Sequence, residues 1–304
     1  MSVKAWKRVI TITVLLLILS LIVTTIVYKS KYRKEAEKPL PETVISLEDY
    51  GMTDIGEKEK FDAALRYIAD MDANSSPKYR SKYKELYVDN PFEYEDLSGQ
   101  KICYLTFDDG PDVYTTGRIL DILKQYDVKA TFFVVYNESE SAKALLKRMV
   151  DEGHTIGVHS AEHSYKAIYK SVTAYLKDFK KVSDWIEDAT GIKPEIFRLP
   201  GGSINIYNAK KQEAIVTEML RRGYTYYDWN CNSGDAAASW ITADEIKDNV
   251  LRETEDDKKI VLMHDGQKHW ATLEALESVI QALIEEDYEF RALDKTVEPV
   301  RFDY

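Results

Sequence analysis

The sequence predicts an α/β protein: a parallel sheet, closed or nearly closed into a barrel, with its helices outside. Three observations predict it. From Lys101 onward, short β-rich runs alternate with helix-periodic stretches, the order that produces parallel strands joined by crossover helices. About 200 residues carrying such an alternation suit a barrel better than an open sheet. The residues able to do chemistry stand at the ends of the β-rich runs, where barrels place their working groups.

The strands are read at 102–107, 131–136, 155–159, 196–199, 225–230, 260–264 and 288–292. Helices are read between them at 116–126, 139–152, 171–190, 210–222, 243–253 and 272–286, as where Ile119, Ile122, Leu123 and Tyr126 repeat at helical spacing. Before Lys101 the organisation differs. Residues 9–28 form an apolar or hydroxyl-bearing run without charge. About 20 residues at 1.5 Å each span about 30 Å, one hydrocarbon core. The run is long for a cleaved signal, and Ile26-Val27-Tyr28-Lys29 offers no small-residue cleavage site, so an uncleaved transmembrane anchor is expected. Basic residues flank it on both sides and do not choose an orientation. An extracytoplasmic catalytic domain on a single-pass anchor follows from the chemistry below. Residues 29–100 read as a stalk: Pro39-Leu40-Pro41 is stiff, and Phe61, Leu65, Ile68 and Met71 form one apolar helical stripe. Residues 101–304 read as the catalytic domain.

A net charge of −11 argues against a nucleic-acid partner. Cys103 and Cys231, the only two cysteines, are read as buried free thiols, with a disulfide as the alternative.

The first run ends in Thr106-Phe107-Asp108-Asp109-Gly110-Pro111. Neighbouring strand residues point to opposite faces. Asp108 and Asp109 can therefore serve one site only if the chain bends between them, one binding while the other does acid–base work. The third run ends in His159, with His163 four residues on; read as one helical turn, that spacing puts two imidazoles on one face. With one carboxylate they suit a divalent metal in a hydrolytic site that keeps an open position. His154 is read as structural and His269 as a loop residue. Arg198-Leu199-Pro200-Gly201-Gly202 brings an Arg able to hold a carboxylate through two parallel bonds, or else a surface ion pair, and a Gly201 N–H that no side chain shields. Asp228-Trp229-Asn230 and Asp235 follow; Trp229 reads as core or as site. Leu262-Met263-His264-Asp265 brings His264, an imidazole that titrates near working pH.

In order and spacing these motifs resemble the NodB-type polysaccharide deacetylases, carbohydrate esterase family 4, over about residues 100–295. The resemblance implies a distorted (β/α)7 barrel, preceded here by the anchor and the partly helical stalk. It implies hydrolysis of the N-acetyl group of N-acetylglucosamine units in peptidoglycan or a chitin-like polymer. It implies one divalent metal, Zn2+ or another such as Co2+, on Asp109, His159 and His163. It further implies Asp108 as base, His264 as acid, Arg198 orienting Asp108, and Asp235 tethering the acid or the Arg. Gly201 would serve the oxyanion, and Trp229 and Leu262 the acetyl pocket. Tyr114, outside any motif, is placed at the groove edge. Two departures stand out. Gly201 replaces an aromatic residue, removing one groove wall, and Ala236 rather than Trp follows Asp235, with Trp240 later. An O-acetyl esterase of the xylan type is the near alternative; a non-catalytic wall-binding module and a membrane scaffold are the distant ones.

Overall fold

The computed structural model describes residues 78–89, 94–237, 240–252, 257–266 and 269–302. The strands are β1 (Ile102–Asp108), β2 (Thr131–Val135), β3 (Thr155–Ser160), β4 (Ile196–Phe197), β5 (Thr225–Tyr226), β6 (Cys231–Asn232), β7 (Lys258–His264) and β8 (Glu289–Phe290). The helices are α1 (Thr116–Gln125), α2 (Glu140–Asp151), α3 (Tyr165–Ile168), α4 (Val172–Thr190), α5 (Gln212–Arg221), α6 (Ala243–Arg252) and α7 (Trp270–Glu285).

All strand pairs are parallel, in the order β5-β4-β3-β2-β1-β7-β6, and β8 pairs with β1. Among the described residues no ladder joins β5 to β6, so the sheet curls into an incomplete barrel. β1 is the hinge of the arrangement. Its whole length pairs with β7, its last three residues pair with β2, and its first two pair with β8.

Alternation along β1 sorts two cores. Cys103, Leu105 and Phe107 pack under the helices, while Ile102 and Tyr104 join Phe133, Ile196, Tyr227 and Ile260 inside the curl. By the same parity, Asp108 lies on the side of Ile102 and Tyr104, at the C-terminal mouth. On β7, Ile260 faces inward and Val261 and Met263 outward, which puts Leu262 and His264 on the inner side.

Of the strand predicted at 225–230 only 225–226 forms, as β5; residues 227–230 are not strand, and the sheet resumes beyond the predicted end as β6 at 231–232. In this break Tyr227 stays in the inner cluster and donates its hydroxyl to the Asp294 carbonyl (2.6 Å), and Asn230 bonds across to Ile260 and Lys258. Cys103 and Cys231 are both buried and free.

The apolar run at 9–28 and the stripe at 57–71 lie outside the described residues. Among the described residues no helix is long and apolar enough to cross a membrane. Residues 78–89, inside the stretch read as stalk, are packed on the domain. Leu86 is wholly buried, Arg222 donates to the carbonyls of Tyr83 (2.7 Å) and Lys82 (3.0 Å), and Lys193 donates to those of Glu85 and Tyr87.

Candidate active site

The bend required between the two adjacent aspartates is present. Asp109 takes φ +76, a left-handed conformation rare outside glycine, and turns its carboxylate toward β3. Asp265, entering from the end of β7, locks the turn. Its N–H donates to the Asp108 carbonyl (3.1 Å), and its carboxylate accepts from the Gly110 N–H (3.0 Å) and the Thr116 hydroxyl (2.5 Å). A Cβ at residue 110 would overlap that carboxylate, so only glycine fits. Burial raises the pKa of Asp265 to about 7; the Thr116 hydrogen bond opposes the rise and the neighbouring Asp109 charge adds to it.

His159 ends β3 and is buried. Its Nδ1 lies 2.9 Å from the Arg198 carbonyl, which can only accept, so Nδ1 carries the proton and Nε2 keeps its lone pair. Burial holds its pKa below the usual imidazole value against the pull of Asp108 and Asp109. His163 is reached by a turn, not by the helical turn that the spacing suggested. Its φ is +46, and Asp178 of α4 ties the turn by accepting from the Ser160 hydroxyl and the N–H groups of Ala161 and Glu162. The His163 N–H then donates to Ser160 Oγ (2.9 Å). The result is the expected cluster: Asp109 Oδ1 stands 3.1 Å from His163 Nε2 and 3.6 Å from His159 Nε2. That oxygen is buried and has no hydrogen-bond partner among the described residues. Two imidazole nitrogens and an orphaned carboxylate oxygen, all within 4.8 Å, are the donor set of a divalent cation, and the residues therefore fit a metal.

Arg198 is fully buried over the Phe133 ring (4.3 Å). Neither sequence reading of Arg198, a carboxylate held by two parallel bonds or a surface ion pair, is met. Instead only Nη1 reaches Asp108 Oδ1 (2.9 Å), while three other N–H groups go to Thr106 Oγ1 and the carbonyls of Tyr227 and Asp228. Four of the five guanidinium N–H groups are thus engaged, and Asp108, 3 % exposed, keeps Oδ2 toward His159 Nε2 at 3.9 Å. The buried guanidinium is compensated by one carboxylate oxygen and three neutral acceptors, which leaves Oδ2 of Asp108 unoccupied by Arg198.

Beyond Arg198 the chain turns at Gly201 and Gly202, both with positive φ. Asp228 fixes this turn by accepting from the Ser203 N–H (2.7 Å) and hydroxyl (2.5 Å). The Gly201 N–H has no acceptor among the described residues. The wall expected to be lost at Gly201 is not open: the Tyr165 ring lies 3.2 Å from where a Cβ on Gly201 would stand. Trp229 lies on the other side of the turn, 3.1 Å from the Cβ position of Gly202, and stacks edge-on to Phe302 (4.8 Å).

His264, at the end of β7, is held by Asp235 twice. Asp235 Oδ1 lies 2.8 Å from His264 Nδ1, and Oδ2 accepts the His264 N–H (2.7 Å) and the Thr272 hydroxyl (2.7 Å). Of the two tethers expected of Asp235, the one to His264 is observed. Burial disfavours charge on His264, but the Asp235 hydrogen bond and charge, with Asp108 and Asp109 behind them, outweigh it and raise its pKa to about 9. Leu262 sits one inward step below, almost buried. Tyr114 is 65 % exposed; a cavity of about 640 Å³ beside the cluster is bordered by Asp109, Pro111, Tyr136, Asn137, His163 and His269, not by Tyr114.

His269, read as a loop residue, is at this site. Its ring stacks on His264 (5.0 Å, 22°), and its Nδ1 is 4.0 Å from Asp235 Oδ2. Its only signal in the sequence was its place just before α7. His154 is structural as read: its Nδ1 accepts from the Ala130 N–H, and burial lowers its pKa to about 4.

A family model described as polysaccharide deacetylase matches residues 96–225. A peptidoglycan-N-acetylglucosamine deacetylase of Bacillus cereus is 33% identical over 208 residues, 67% of this chain and 73% of that protein. Among solved structures, the catalytic domain of peptidoglycan N-acetylglucosamine deacetylase from Eubacterium rectale superposes with a TM-score of 0.64 at 33% identity, covering 71% of this chain and 96% of that one. A family 4 acetyl xylan esterase from Clostridium thermocellum, in complex with a cobalt ion, gives 0.54 at 31% identity, covering 63% and 88%. With its fold, its motifs and these likenesses in agreement, the chain belongs to the NodB-type polysaccharide deacetylases, carbohydrate esterase family 4.

Proposed function

We propose that this chain removes the acetyl group from N-acetylglucosamine units of a cell-wall glycan, releasing acetate, with one divalent metal held by Asp109, His159 and His163. One observation carries the reading: the orphaned Asp109 oxygen faces two imidazole nitrogens, beside a buried Asp108–Arg198 pair and a charged His264. When bound, such a metal polarises the acetyl carbonyl and acidifies water.

The chain's own groups divide the rest of the work. Asp108 Oδ2, its partner oxygen occupied by Arg198, takes the proton of the attacking water. The Gly201 N–H donates to the developing oxyanion, a contribution of about 3–4 kcal/mol per donor in other hydrolases. His264, protonated below about pH 9, gives its Nε2 proton to the leaving amine, while Asp235 holds Nδ1. Trp229 and Leu262 enclose the acetyl methyl group.

The apolar run at 9–28 supports a single-pass anchor, the stretch after it a stalk, and the extracytoplasmic side as the place of work; a tether suits a wall glycan better than a soluble sugar. The same groups would also hydrolyse an O-acetyl ester, and the likeness to the acetyl xylan esterase favours keeping that second reading. One assay decides both. Acetate release is measured from an N-acetylglucosamine oligomer and from acetylated xylan, with and without chelator. Release from the oligomer that chelator abolishes and added metal restores is the expected result. Release from xylan alone transfers the activity to esters, and release unaffected by chelator removes the metal.

A further inference from the structure

The structure contains a row of four tyrosines that the steps above do not use. Tyr175, Tyr169, Tyr165 and Tyr207 stack in sequence, with centroids 6.2, 6.3 and 5.2 Å apart and planes within 13° of parallel. The row begins in the core, where Tyr175 and Tyr169 are buried, and ends at the surface, where Tyr207 is 45 % exposed. Its inner part is tied to the site: the Tyr169 hydroxyl donates to the Pro200 carbonyl (2.8 Å), and Tyr165 lies against His163 (5.5 Å) and over Gly201. Its outer end is braced. The Tyr207 N–H donates to Asn205 Oδ1, and the Asn205 amide donates to the carbonyls of Pro200 and Gly202. Ile206, 87 % exposed, extends the apolar surface beside it.

From this we infer that the row is a carbohydrate platform, on which Tyr207 carries a pyranose ring of the glycan adjacent to the unit being deacetylated. The inference rests on the function proposed above. One face of Tyr207 is covered by Tyr165, so its exposure is the outer face and edges. A flat π-face takes the C–H face of a sugar ring while the hydroxyls stay in water, and the phenol keeps a polar tip of its own. The other rings and the asparagine brace hold Tyr207 in place before a ligand arrives, which removes an ordering cost from binding. The unit being deacetylated must come within reach of His163 and the Gly201 N–H, and Tyr165 packs beside both residues. A chain of sugars leaving that point across Tyr165 meets Tyr207 next.

The test is binding of penta-N-acetylchitopentaose to the full chain with its metal, in an Asp108→Asn background that suppresses turnover, read by calorimetry. Tyr207→Ala is expected to raise Kd about fivefold or more, Tyr207→Leu to do the same despite its apolar bulk, and Tyr207→Phe to stay within about twofold. Equal affinity in all four proteins overturns the platform. So does loss in Tyr207→Phe as large as in Tyr207→Ala, or a sedimentation shift in Tyr207→Ala without an effect on the sugar, which would make the face a contact between two copies. Acetate release, measured separately with Asp108 restored, fails independently. A chain that binds the pentamer through Tyr207 yet frees no acetate keeps the platform and retires the deacetylase reading.

Discussion

Asp109 with His159 and His163, and Asp235 with His264 and His269, are each one carboxylate and two imidazoles whose ligand atoms lie within 4.8 Å of one another. Their surroundings differ. Asp109 Oδ1 has no hydrogen-bond partner among the described residues, and burial keeps His159 below its ordinary pKa, hence neutral with a lone pair to give. Asp235 is fully engaged: its oxygens take the His264 N–H, the His264 ring nitrogen and the Thr272 hydroxyl. Although burial pushes the Asp235 carboxyl up, its bonds to His264 hold it below the usual range, and His264 is held charged. The first cluster suits a cation; the second already contains one, as imidazolium. What separates them is the hydrogen-bond state of the carboxylate, not the residue types.

The largest expected effect breaks the comparison at the first cluster. His159→Ala should lose stoichiometric metal, measured by elemental analysis, and with it essentially all acetate release. His264→Ala should lose about 10²–10⁴-fold in kcat while its metal content stays near one per chain. A His264→Ala protein stripped of metal would make the two clusters one binding site. Asp108→Asn should resemble the second variant. It keeps the metal, because Asp108 is not in the triad, and loses turnover by a similar 10²–10⁴-fold as the missing base. Wild-type rate in that variant removes Asp108 from the chemistry.

The first cluster was more legible in the sequence than the second. Asp108, Asp109, His159, Arg198 and His264 all sit at or beside ends of β-rich runs, and a short continuous apolar run with its closing residues marks such ends without tertiary information. His163 was found, but its geometry was misread, because a four-residue spacing looks helical until φ +46 and the Asp178 brace are seen. His269 and the partner of Asp235 depend on how the start of α7 lands on the end of β7, a packing outcome with no local pattern. Tyr165 compensating for Gly201 is of the same kind, since the two meet only when the β3 and β4 loops are side by side. A nearly closed barrel was among the expectations, but where it opens was not legible, because β4, β5 and β6 are two residues each and nothing in so short a run marks a missing ladder.

A pH experiment sharpens the comparison. With His264 raised to about 9, the acid stays protonated through neutrality, so kcat should hold up to about pH 9 and fall above it. Asp235→Asn removes the charge that raises it, and the alkaline limb should move down by more than one pH unit, toward the ordinary imidazole value of about 6.5. Stability follows the same sign. A histidine whose pKa is raised on folding contributes fully below about 6.5, and the contribution is lost as pH rises through about 9. The melting-temperature gap between wild type and Asp235→Asn should therefore be widest near pH 6 and narrow by pH 9.5. A gap that widens with pH would mean that the pair does not hold its proton as described.

The smallest effect belongs to His269. Burial, with the His264 charge acting the same way, keeps its pKa lowered against the pull of Asp235, so it is a neutral ring stacked on the imidazolium. If its work is to cover His264, the ring matters and the nitrogens do not. His269→Phe should then keep kcat within about twofold, and His269→Ala should cost a few-fold, the scale of one lost ring contact. Metal content should not change in either. A loss in His269→Phe as large as that in His264→Ala would show that a nitrogen of His269 takes part in moving the proton, and the second cluster would then be a two-histidine relay, not a single tethered acid.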